Sequence, residues 1–362
     1  MEKKLIHYLG KILVLFLIVS LSGSCEDDEF GEEHNDSSTY TQQEGLFIIN
    51  EGNYSSGNGS LSFYNPADKT VSNEVFYSVN ERPLGDIPFQ IEFLNDHAII
   101  SINNAGKVEV VDLSDFSSVK TITGLSSPRH IQSTSSGKIF ISDLESSNMH
   151  IISSNNYEYT GNLDAGKSTG AMLYNEDLIF ACNWSEFYVN KPNNTVTVID
   201  PVSETVIQTI PVAKEPNSIV MDKNDNIWVL SSGGYNHDEV PALTLIDPDQ
   251  LTVLQSIPFP QQEISPEDLT INEHGDSLFF TNKGIYGMSI NDTVIPTQEY
   301  IKKANRNINS LAIDPDNGDL YFSNALDYQQ KGWIIRYNRN TQSVCDSFRV
   351  GINPGAMKFY TP

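Results

Sequence analysis

The chain has 362 residues, of which 22 are Lys or Arg and 47 are Asp or Glu, and its formal net charge at pH 7 is −25. Nucleic acids and anionic lipid surfaces are bound by concentrated positive charge, so this balance argues against both as partners. About 320 residues follow the polar N-terminal segment, which is enough for one large domain. No second block of distinct composition indicates a further domain.

The first residues have the pattern of a secretion signal. Lys3, Lys4 and Lys11 precede an apolar stretch over residues 12–21, which is short for a bilayer span. Small residues then precede Cys25, an arrangement that resembles the lipobox of bacterial lipoproteins. We therefore expect residues 1–24 to be a signal peptide and Cys25 to be lipidated. An ordinary cleaved signal is the alternative.

An acidic run, Glu26-Asp27-Asp28-Glu29, follows directly and resembles the export tag of lipoproteins that reach the outer face of the outer membrane. A solvated charge run is the alternative interpretation. Residues 30–44 are polar and cannot bury enough apolar surface to fold. The sequence thus predicts a flexible acidic tether over residues 25–44, a folded body over residues 45–362, and a cell-surface location with the lipid anchor as the only membrane contact.

The body repeats one sequence pattern seven times: a hydrophobic strand, a turn, a second strand ending near Asp or Asn, and a third apolar strand. Each unit opens on a marker residue that is followed three residues later by an aliphatic side chain. The markers are Pro88, Pro128, Gly170, Pro216, Pro266, Asn309 and Pro354. Their spacing is roughly 40 to 50 residues, the length of a four-stranded propeller blade, so the pattern predicts an all-β, seven-bladed β-propeller.

The two ends of the body are expected to complete one blade together. Only one strand follows Pro354, whereas three strands without a marker are predicted near the start, over residues 46–50, 61–65 and 71–77. A closing blade shared by the N- and C-terminal strands removes open sheet edges.

Unusual residues concentrate in the loops that follow the second strand of each unit. Because neighbouring strands alternate in direction, these loops and those leading into each first strand should emerge on one face. Several are longer than a hairpin needs, and they carry or adjoin rings that could stack on a ligand. The candidate ring residues are Tyr54, Trp184, Tyr188, Tyr235, His237, Tyr286, Tyr328 and Trp333. Packing against a neighbouring blade is the alternative for each.

Polar candidates lie at the same face. A repeat position at the end of the second strand is occupied by Asn50, Asp143, Asn183 and Asn324, which could ring the channel mouth or could simply cap the strand. Arg129, directly after the marker Pro128, should point toward the same mouth and contact a ligand. Its alternative is an ion pair with Asp143 or Glu145.

Catalytic chemistry is not indicated by any motif. The histidines show no metal-ligand spacing, and neither a Gly-x-Ser-x-Gly nucleophile motif nor a glycine-rich phosphate loop is present. Two carboxylates could still meet in space and act as acid and base. We therefore expect a binding protein with neither catalytic residues nor a cofactor.

Three stretches carry a family resemblance: GLFIINEGNY at residues 45–54, GNGSLSFY at 57–64 and LGDIP at 84–88. With them the chain resembles the YVTN or YncE-like seven-bladed propeller lipoproteins of Bacteroidota, over residues 45–361. Within that group it is most similar to the surface lipoproteins that capture vitamin B12 (cobalamin). The resemblance implies capture of cobalamin or a related corrinoid and its transfer to a TonB-dependent outer-membrane transporter. A glycan-binding propeller and a propeller enzyme of lyase or lactonase type are the alternatives.

Overall fold

The computed structural model describes residues 44–184 and 193–362. The predicted signal peptide, the lipidation of Cys25 and nearly all of the predicted tether lie outside the described residues, as does the candidate ligand residue Tyr188.

The described chain is almost entirely β-structure. Its strands are β1 (Gly45–Asn50), β2 (Ser60–Asn65), β3 (Thr70–Ser72), β4 (Pro88–Leu94), β5 (His97–Ile102), β6 (Lys107–Asp112), β7 (Ser118–Thr123), β8 (Pro128–Ser133), β9 (Lys138–Asp143), β10 (Asn148–Ser153), β11 (Tyr159–Asp164), β12 (Met172–Asn175), β13 (Leu178–Cys182), β14 (Thr195–Asp200), β15 (Thr205–Pro211), β16 (Pro216–Met221), β17 (Ile227–Ser231), β18 (Ala242–Asp247), β19 (Thr252–Pro258), β20 (Glu267–Ile271), β21 (Ser277–Asn282), β22 (Gly284–Ser289), β23 (Leu311–Ile313), β24 (Leu320–Asn324), β25 (Lys331–Asn338), β26 (Ser343–Ile352) and β27 (Pro354–Tyr360). One short helix, α1 (Val75–Asn80), interrupts them.

These strands form seven antiparallel sheets, which are the blades of a seven-bladed β-propeller. Blades 1 to 4 are β4–β7, β8–β11, β12–β15 and β16–β19, blade 5 is β20–β22, and blade 6 is β23–β26. Blade 5 therefore has three strands among the described residues, and the other blades have four. The predicted fold class and the number of repeat units are confirmed.

Blade 7 closes the ring with strands from both ends of the body, in the order β27-β1-β2-β3. β27 pairs antiparallel with β1, with Leu46 opposite Phe359 and Ile48 opposite Met357. The predicted shared blade is therefore confirmed, with β27 as its inner strand and β1 to β3 as the other three.

The predicted third strand near the N-terminus, residues 71–77, is partly wrong. β3 ends at Ser72, and residues 75–80 form α1. Val75 and Phe76 are buried in a cluster with Phe116, and the side-chain amide of Asn80 donates to the backbone oxygens of Phe76 and Phe116. Tertiary packing thus overrides the β-branched and aromatic composition of this segment, which favours a strand.

The core lies between adjacent blades, because the two central strands of a blade are buried on both faces. One cluster joins Ile99 and Val110 of blade 1 to Ile139 and Ile152 of blade 2. At the join of blades 6 and 7, Tyr64 stacks on Phe348 with centroids 3.9 Å apart. This geometry explains why the central strands are nearly continuous apolar runs while the outer strands are exposed.

The two cysteines of the body lie on the predicted strands and form no disulfide. Cys182 on β13 is buried, whereas Cys345 on β26 is exposed, because the outermost strand of a blade faces solvent.

Candidate functional site

A cavity of about 510 Å³ lies where the first strands of the seven blades meet. Every blade contributes to its wall the residue directly after its marker. These residues are Phe89, Arg129, Ala171, Asn217, Glu267, Ser310 and Gly355. The markers read from the sequence therefore locate the cavity as well as the blades.

The start of the first strand is irregular in several blades, which gives these residues their direction. The pairing of first and second strands shifts register between Pro88 and Gln90, between Pro128 and Ile131, and between Glu267 and Thr270. A β-bulge leaves a residue out of the ladder and re-aims its side chain. Phe89, Arg129 and Glu267 lie at or within these irregularities and line the cavity.

Arg129 is the central cation of the cavity. Its guanidinium carbon lies 3.9 Å from the ring centroid of Phe89 and 4.8 Å from that of Trp184, so the guanidinium contacts two aromatic rings. The Nε atom is enclosed and has no hydrogen-bond partner within residues 44–184 and 193–362. Burial lowers the pKa of Arg129 to about 10, against the opposing charges of Glu51 and Glu267. The guanidinium is therefore positively charged at neutral pH.

Three carboxyl groups line the same cavity. Glu51 accepts a hydrogen bond of 2.9 Å from the side-chain amide of Asn353, and burial raises its pKa although the Arg129 charge lowers it. Burial also raises the pKa of Glu267, again against Arg129. Asp268 accepts a hydrogen bond from the backbone N–H of Leu311, and burial raises its pKa to about 7. Asp268 is thus a cavity acceptor whose protonation changes near neutral pH.

His130 adds a neutral ring to the wall. Burial lowers the pKa of His130 to about 3, and the charge of Arg129 contributes to the same shift. The imidazole packs edge-on against Phe89, with centroids 5.0 Å apart.

Lys358 is the second cation that lines the cavity, and it forms an ion pair of 2.8 Å with Glu92. Arg129 is therefore the only cation that lines the cavity without an ion-pair partner in the described part of the chain.

The cavity opens on the face predicted from strand direction. Backbone hydrogen bonds join the loop after a second strand to the loop before a first strand in several blades. They run from Glu51 to Asn353, from Leu144 to Ser127, from Ser232 to Glu215 and from Ala325 to Asn307. Both sets of loops therefore lie together, and Glu51 and Trp184 reach the cavity from them.

Three predicted rim tyrosines are exposed in these loops. The exposed fraction is 75% for Tyr54, 88% for Tyr235 and 43% for Tyr328. The amide of Asn53 donates a hydrogen bond of 2.6 Å to the backbone oxygen of Tyr328, so the loops that carry Tyr54 and Tyr328 adjoin. These rings are exposed in loops on the face where the cavity opens, and none of the three is part of the cavity lining.

His237 lies in the same loop as Tyr235 and is half-buried. Its backbone is in the left-handed region, with φ of 54°, and its backbone oxygen accepts a hydrogen bond of 2.7 Å from Gln262. The Nδ1 atom is enclosed and has no partner in the described structure. The backbone of His237 therefore supports the loop, and its ring does not line the cavity.

The four polar residues at the ends of second strands do not form a ring at the mouth. The amide of Asn50 donates to Ser60 and Ser62, and Asn183 accepts from Thr195 and Thr197. Asp143 accepts from Ser127, Glu145 and His150, and Asn324 accepts from Asn307 and Leu326. The first three are fully buried and Asn324 is 9% exposed. These side chains cap strands and loops, and none of the four lines the cavity.

Two predicted aromatic residues also lie away from the cavity. Tyr286 stacks on Phe280 at 5.7 Å, beside a separate pocket of about 90 Å³ in blade 5. Trp333 lies on β25 with the guanidinium of Arg349 5.5 Å from its centroid. Arg129 does not pair with Asp143, which binds His150 at 2.9 Å. Of the predicted site residues that the structure describes, Arg129 and Trp184 line the cavity.

Sequence reasoning missed Glu51, Phe89, Glu267 and Asp268. The position that identified Arg129, one residue after a marker, also contains Phe89 and Glu267, and applying it to every repeat finds them. Glu51 lies within the NEGN stretch of the family resemblance. Asp268 carries no such signal, because its place depends on the left-handed turn of its backbone, with φ of 57°.

No group of three or more His, Cys, Asp or Glu side chains within the described ranges is placed to hold a metal ion. None of the helices in that part of the chain has the length and hydrophobicity needed to cross a membrane.

Solved structures share this architecture. A quinonprotein alcohol dehydrogenase-like protein from Bacteroides thetaiotaomicron matches with a TM-score of 0.67 and 13% identity, covering 87% of this chain and 78% of its own. A candidate 6-phosphogluconolactonase from Bacteroides uniformis matches with a TM-score of 0.60 and 13% identity, covering 88% and 100%. A streptogramin B lyase matches with a TM-score of 0.55 and 12% identity, covering 72% and 82%. At these identities the likeness shows the propeller fold alone.

No protein with curated annotation matches the sequence. The family described as a domain of unknown function, DUF5074, matches residues 44–353, which is most of the chain and all but the last strand of the propeller. This protein is therefore a member of the DUF5074 family.

Proposed function

We propose that this protein captures a ligand at the cell surface and passes it to an outer-membrane transporter without transforming it. The observation that carries the proposal is the shared face of the exposed tyrosines, Tyr54, Tyr235 and Tyr328, and the cavity that contains Arg129 and Trp184. The cavity volume is within the range of about 300 to 1,000 Å³ that is usual for small-molecule sites. The tyrosines would extend the contact area beyond that cavity.

The favoured ligand is vitamin B12 or a related corrinoid, as the family resemblance implies. A broad ring system edged with amides needs flat apolar contacts across its face and hydrogen-bonding groups at its edge. The exposed tyrosine rings offer the first, and Arg129 with the carboxyl groups of Glu51 and Glu267 offers the second. With Cys25 lipidated, the propeller would stay close to a TonB-dependent transporter, and tethering raises the effective concentration of captured ligand there.

A glycan is the second candidate ligand. Sugar rings also stack on exposed tyrosines, and carboxylates such as Glu51 and Glu267 accept hydrogen bonds from hydroxyl groups. Saturable binding of an oligosaccharide in place of a corrinoid would favour it.

A lyase or lactonase activity has one observation in its favour. Asp268, with its pKa raised by burial to about 7, lies in the cavity next to Glu267, and an acid or base of this pKa suits catalysis at neutral pH. Hydrolysis or elimination of a cyclic ester substrate that is lost in Asp268→Asn would favour this activity over capture.

Calorimetric titration of the protein with cyanocobalamin tests the capture proposal. We expect saturable, stoichiometric binding that weakens at least about tenfold in Tyr54→Ala and Tyr235→Ala, because each removes a stacking surface. Tyr159→Ala is the matched control, since Tyr159 is also an exposed tyrosine, 44% accessible, but lies on the outer strand β11. Absence of heat with cyanocobalamin at micromolar protein would overturn the corrinoid assignment.

A further inference from the structure

The charges in the central cavity suit neither a simple anion nor a simple cation. Arg129 supplies one guanidinium, while Glu51, Glu267 and Asp268 supply three carboxyl groups. An anion that approached Arg129 would be repelled by the carboxylates, and a cation that approached the carboxylates would be repelled by Arg129. The cavity is therefore matched to a neutral group with a hydrogen-bond acceptor and donors side by side.

The aromatic contacts of Arg129 leave its donors available. The guanidinium lies 3.9 Å from the Phe89 centroid and 4.8 Å from the Trp184 centroid, and it forms no ion pair or hydrogen bond through its side chain with any other described residue. A guanidinium carries five N–H donors in one plane, so its edge can hold a planar ligand group in a defined orientation.

The acceptors are held in place separately from the cation. Glu51 is positioned by the amide of Asn353, and a Cβ added at Gly355 would lie 2.7 Å from its Oε1 atom. Glycine at this position therefore leaves room for the Glu51 carboxylate in the cavity wall. Glu267 interacts with Arg129 through charge without forming an ion pair among the described residues. Both carboxylates keep oxygen atoms available as acceptors.

We propose that this cavity is a subsite for a primary carboxamide. The amide oxygen accepts hydrogen bonds from Arg129, the amide NH2 group donates to Glu51 or Glu267, and the plane of the group packs against Phe89 and Trp184. The subsite deepens the proposed function and rests on it for the identity of the whole ligand, of which one amide arm enters the channel while the rest lies across the rim.

Three probes of similar shape and different charge test the subsite directly. Nicotinamide is neutral and carries a primary carboxamide, nicotinate is its anionic counterpart, and 3-(aminomethyl)pyridine is a cationic counterpart. The protein has three tryptophans, Trp184, Trp228 and Trp333, and only Trp184 lines the cavity. Fluorine NMR of protein labelled with fluorotryptophan, assigned with Trp→Phe variants, therefore reports binding at the cavity by the Trp184 resonance alone.

We expect nicotinamide to shift the Trp184 resonance saturably in the millimolar range and to leave those of Trp228 and Trp333 in place. Nicotinate and 3-(aminomethyl)pyridine should bind at least about tenfold more weakly, because each brings a charge against a like charge. Arg129→Met should weaken nicotinamide at least about tenfold through loss of charge-assisted hydrogen bonds. Arg349→Met is the matched control, because it removes an arginine stacked on Trp333.

An unshifted Trp228 resonance shows that each variant is folded, and the Trp333 resonance adds the same check for Arg129→Met. Equal or tighter binding of nicotinate would overturn the carboxamide proposal in favour of an anion site. Absence of any Trp184 shift with nicotinamide up to its solubility limit, or a shift that is unchanged in Arg129→Met, would overturn it as well.

Titration with cyanocobalamin distinguishes the carboxamide subsite from the proposal of corrinoid capture. If nicotinamide binds at Trp184 and cyanocobalamin gives no heat, the subsite stands and the corrinoid assignment fails. If cyanocobalamin binds but nicotinamide neither shifts Trp184 nor competes, capture stands and the carboxamide subsite fails.

Discussion

The side-chain amide of Asn353 donates a hydrogen bond of 2.9 Å to the carboxylate of Glu51, although 302 positions separate them in the sequence. A backbone bond of 3.0 Å from Glu51 to Asn353 runs beside it. Asn353 precedes β27 and Glu51 follows β1, the two strands whose pairing closes the ring. Closure of the propeller and placement of a cavity carboxylate therefore depend on the same pair of residues.

Replacing Asn353 with alanine should lower the free energy of unfolding by about 1 to 3 kcal/mol. The change removes the bond to Glu51 and the one that Asn353 accepts from Asn309, and it puts alanine at a φ of 52°, which asparagine tolerates better. Asn95→Ala is the matched control, because Asn95 has the same φ of 52° but is exposed in a turn. Urea unfolding of both variants measures the difference. Equal losses would show that the bond to Glu51 contributes nothing.

Deleting residues 354–362 should abolish cooperative unfolding of the propeller. The deletion removes β27, leaves β1 as an unpaired edge, and exposes the inner side of a cluster that includes Met357 and Phe359. Circular dichroism during thermal unfolding, together with size-exclusion chromatography, measures the effect. Deleting Thr361 and Pro362 alone should change neither result, because both are exposed and follow the last strand.

Asp268 should make the protein less stable as pH rises from about 4 to 7. Burial raises the pKa of Asp268 to about 7, so the folded state binds a proton more tightly than the unfolded state, and that contribution is lost as the group ionises. One such proton changes the unfolding free energy by at most about 1.4 kcal/mol per pH unit. Asp268→Asn keeps an acceptor for the N–H of Leu311 and should flatten this slope.

Denaturant midpoints measured across that pH window give the comparison. Parallel pH profiles for the parent protein and Asp268→Asn would contradict the assignment.

Glu109 should have the opposite pH dependence. Its burial alone would raise the pKa, but hydrogen bonds from Arg82, Ser118 and Thr121 outweigh it and lower the pKa of Glu109. Its charge therefore stabilises the fold above the ordinary glutamate range, and this contribution is lost as pH falls through the lowered pKa. Glu109→Gln should lower the unfolding free energy at pH 7 by about 2 to 4 kcal/mol, with the gap narrowing in acid.

Glu158→Gln is the control for Glu109→Gln. Glu158 pairs with Lys120 at the surface, with 62% of its side chain exposed, so its loss should change stability by less than about 1 kcal/mol. A loss in Glu109→Gln as small as that in Glu158→Gln would refute the stabilising role of the buried carboxylate.

The repeat carries much of the fold in local sequence. Pro88, Pro128, Pro216 and Pro354 each begin the first strand of a blade, and the shared closing blade follows from the single strand after Pro354. Residues 71–77 show the limit of this reasoning. Their apolar composition favours a strand, but the segment from Val75 onward forms helix α1. Val75 and Phe76 pack beside Phe116 from a different blade, and local pattern does not contain that contact.

The candidate site could be predicted only in part. Arg129 was found because its position after a marker is the same in every blade, and Trp184 because its loop is longer than a hairpin needs. Asn50, Asp143 and Asn183 share a repeat position too, but hydrogen bonds within and between blades bury them. Periodicity identifies equivalent positions, and burial decides which of those positions a ligand can reach.

The seven units, their strand order, the closure of the ring and the face on which the long loops lie can all be predicted from local pattern, because they depend on a few residues repeated along the chain. The contacts of Arg129 with Phe89 and Trp184, and the presence of Glu51 and Glu267 in the same cavity, follow from tertiary packing and from no local pattern. These residues come from five blades, and their approach, burial and shifted pKa values exist only once the ring has closed.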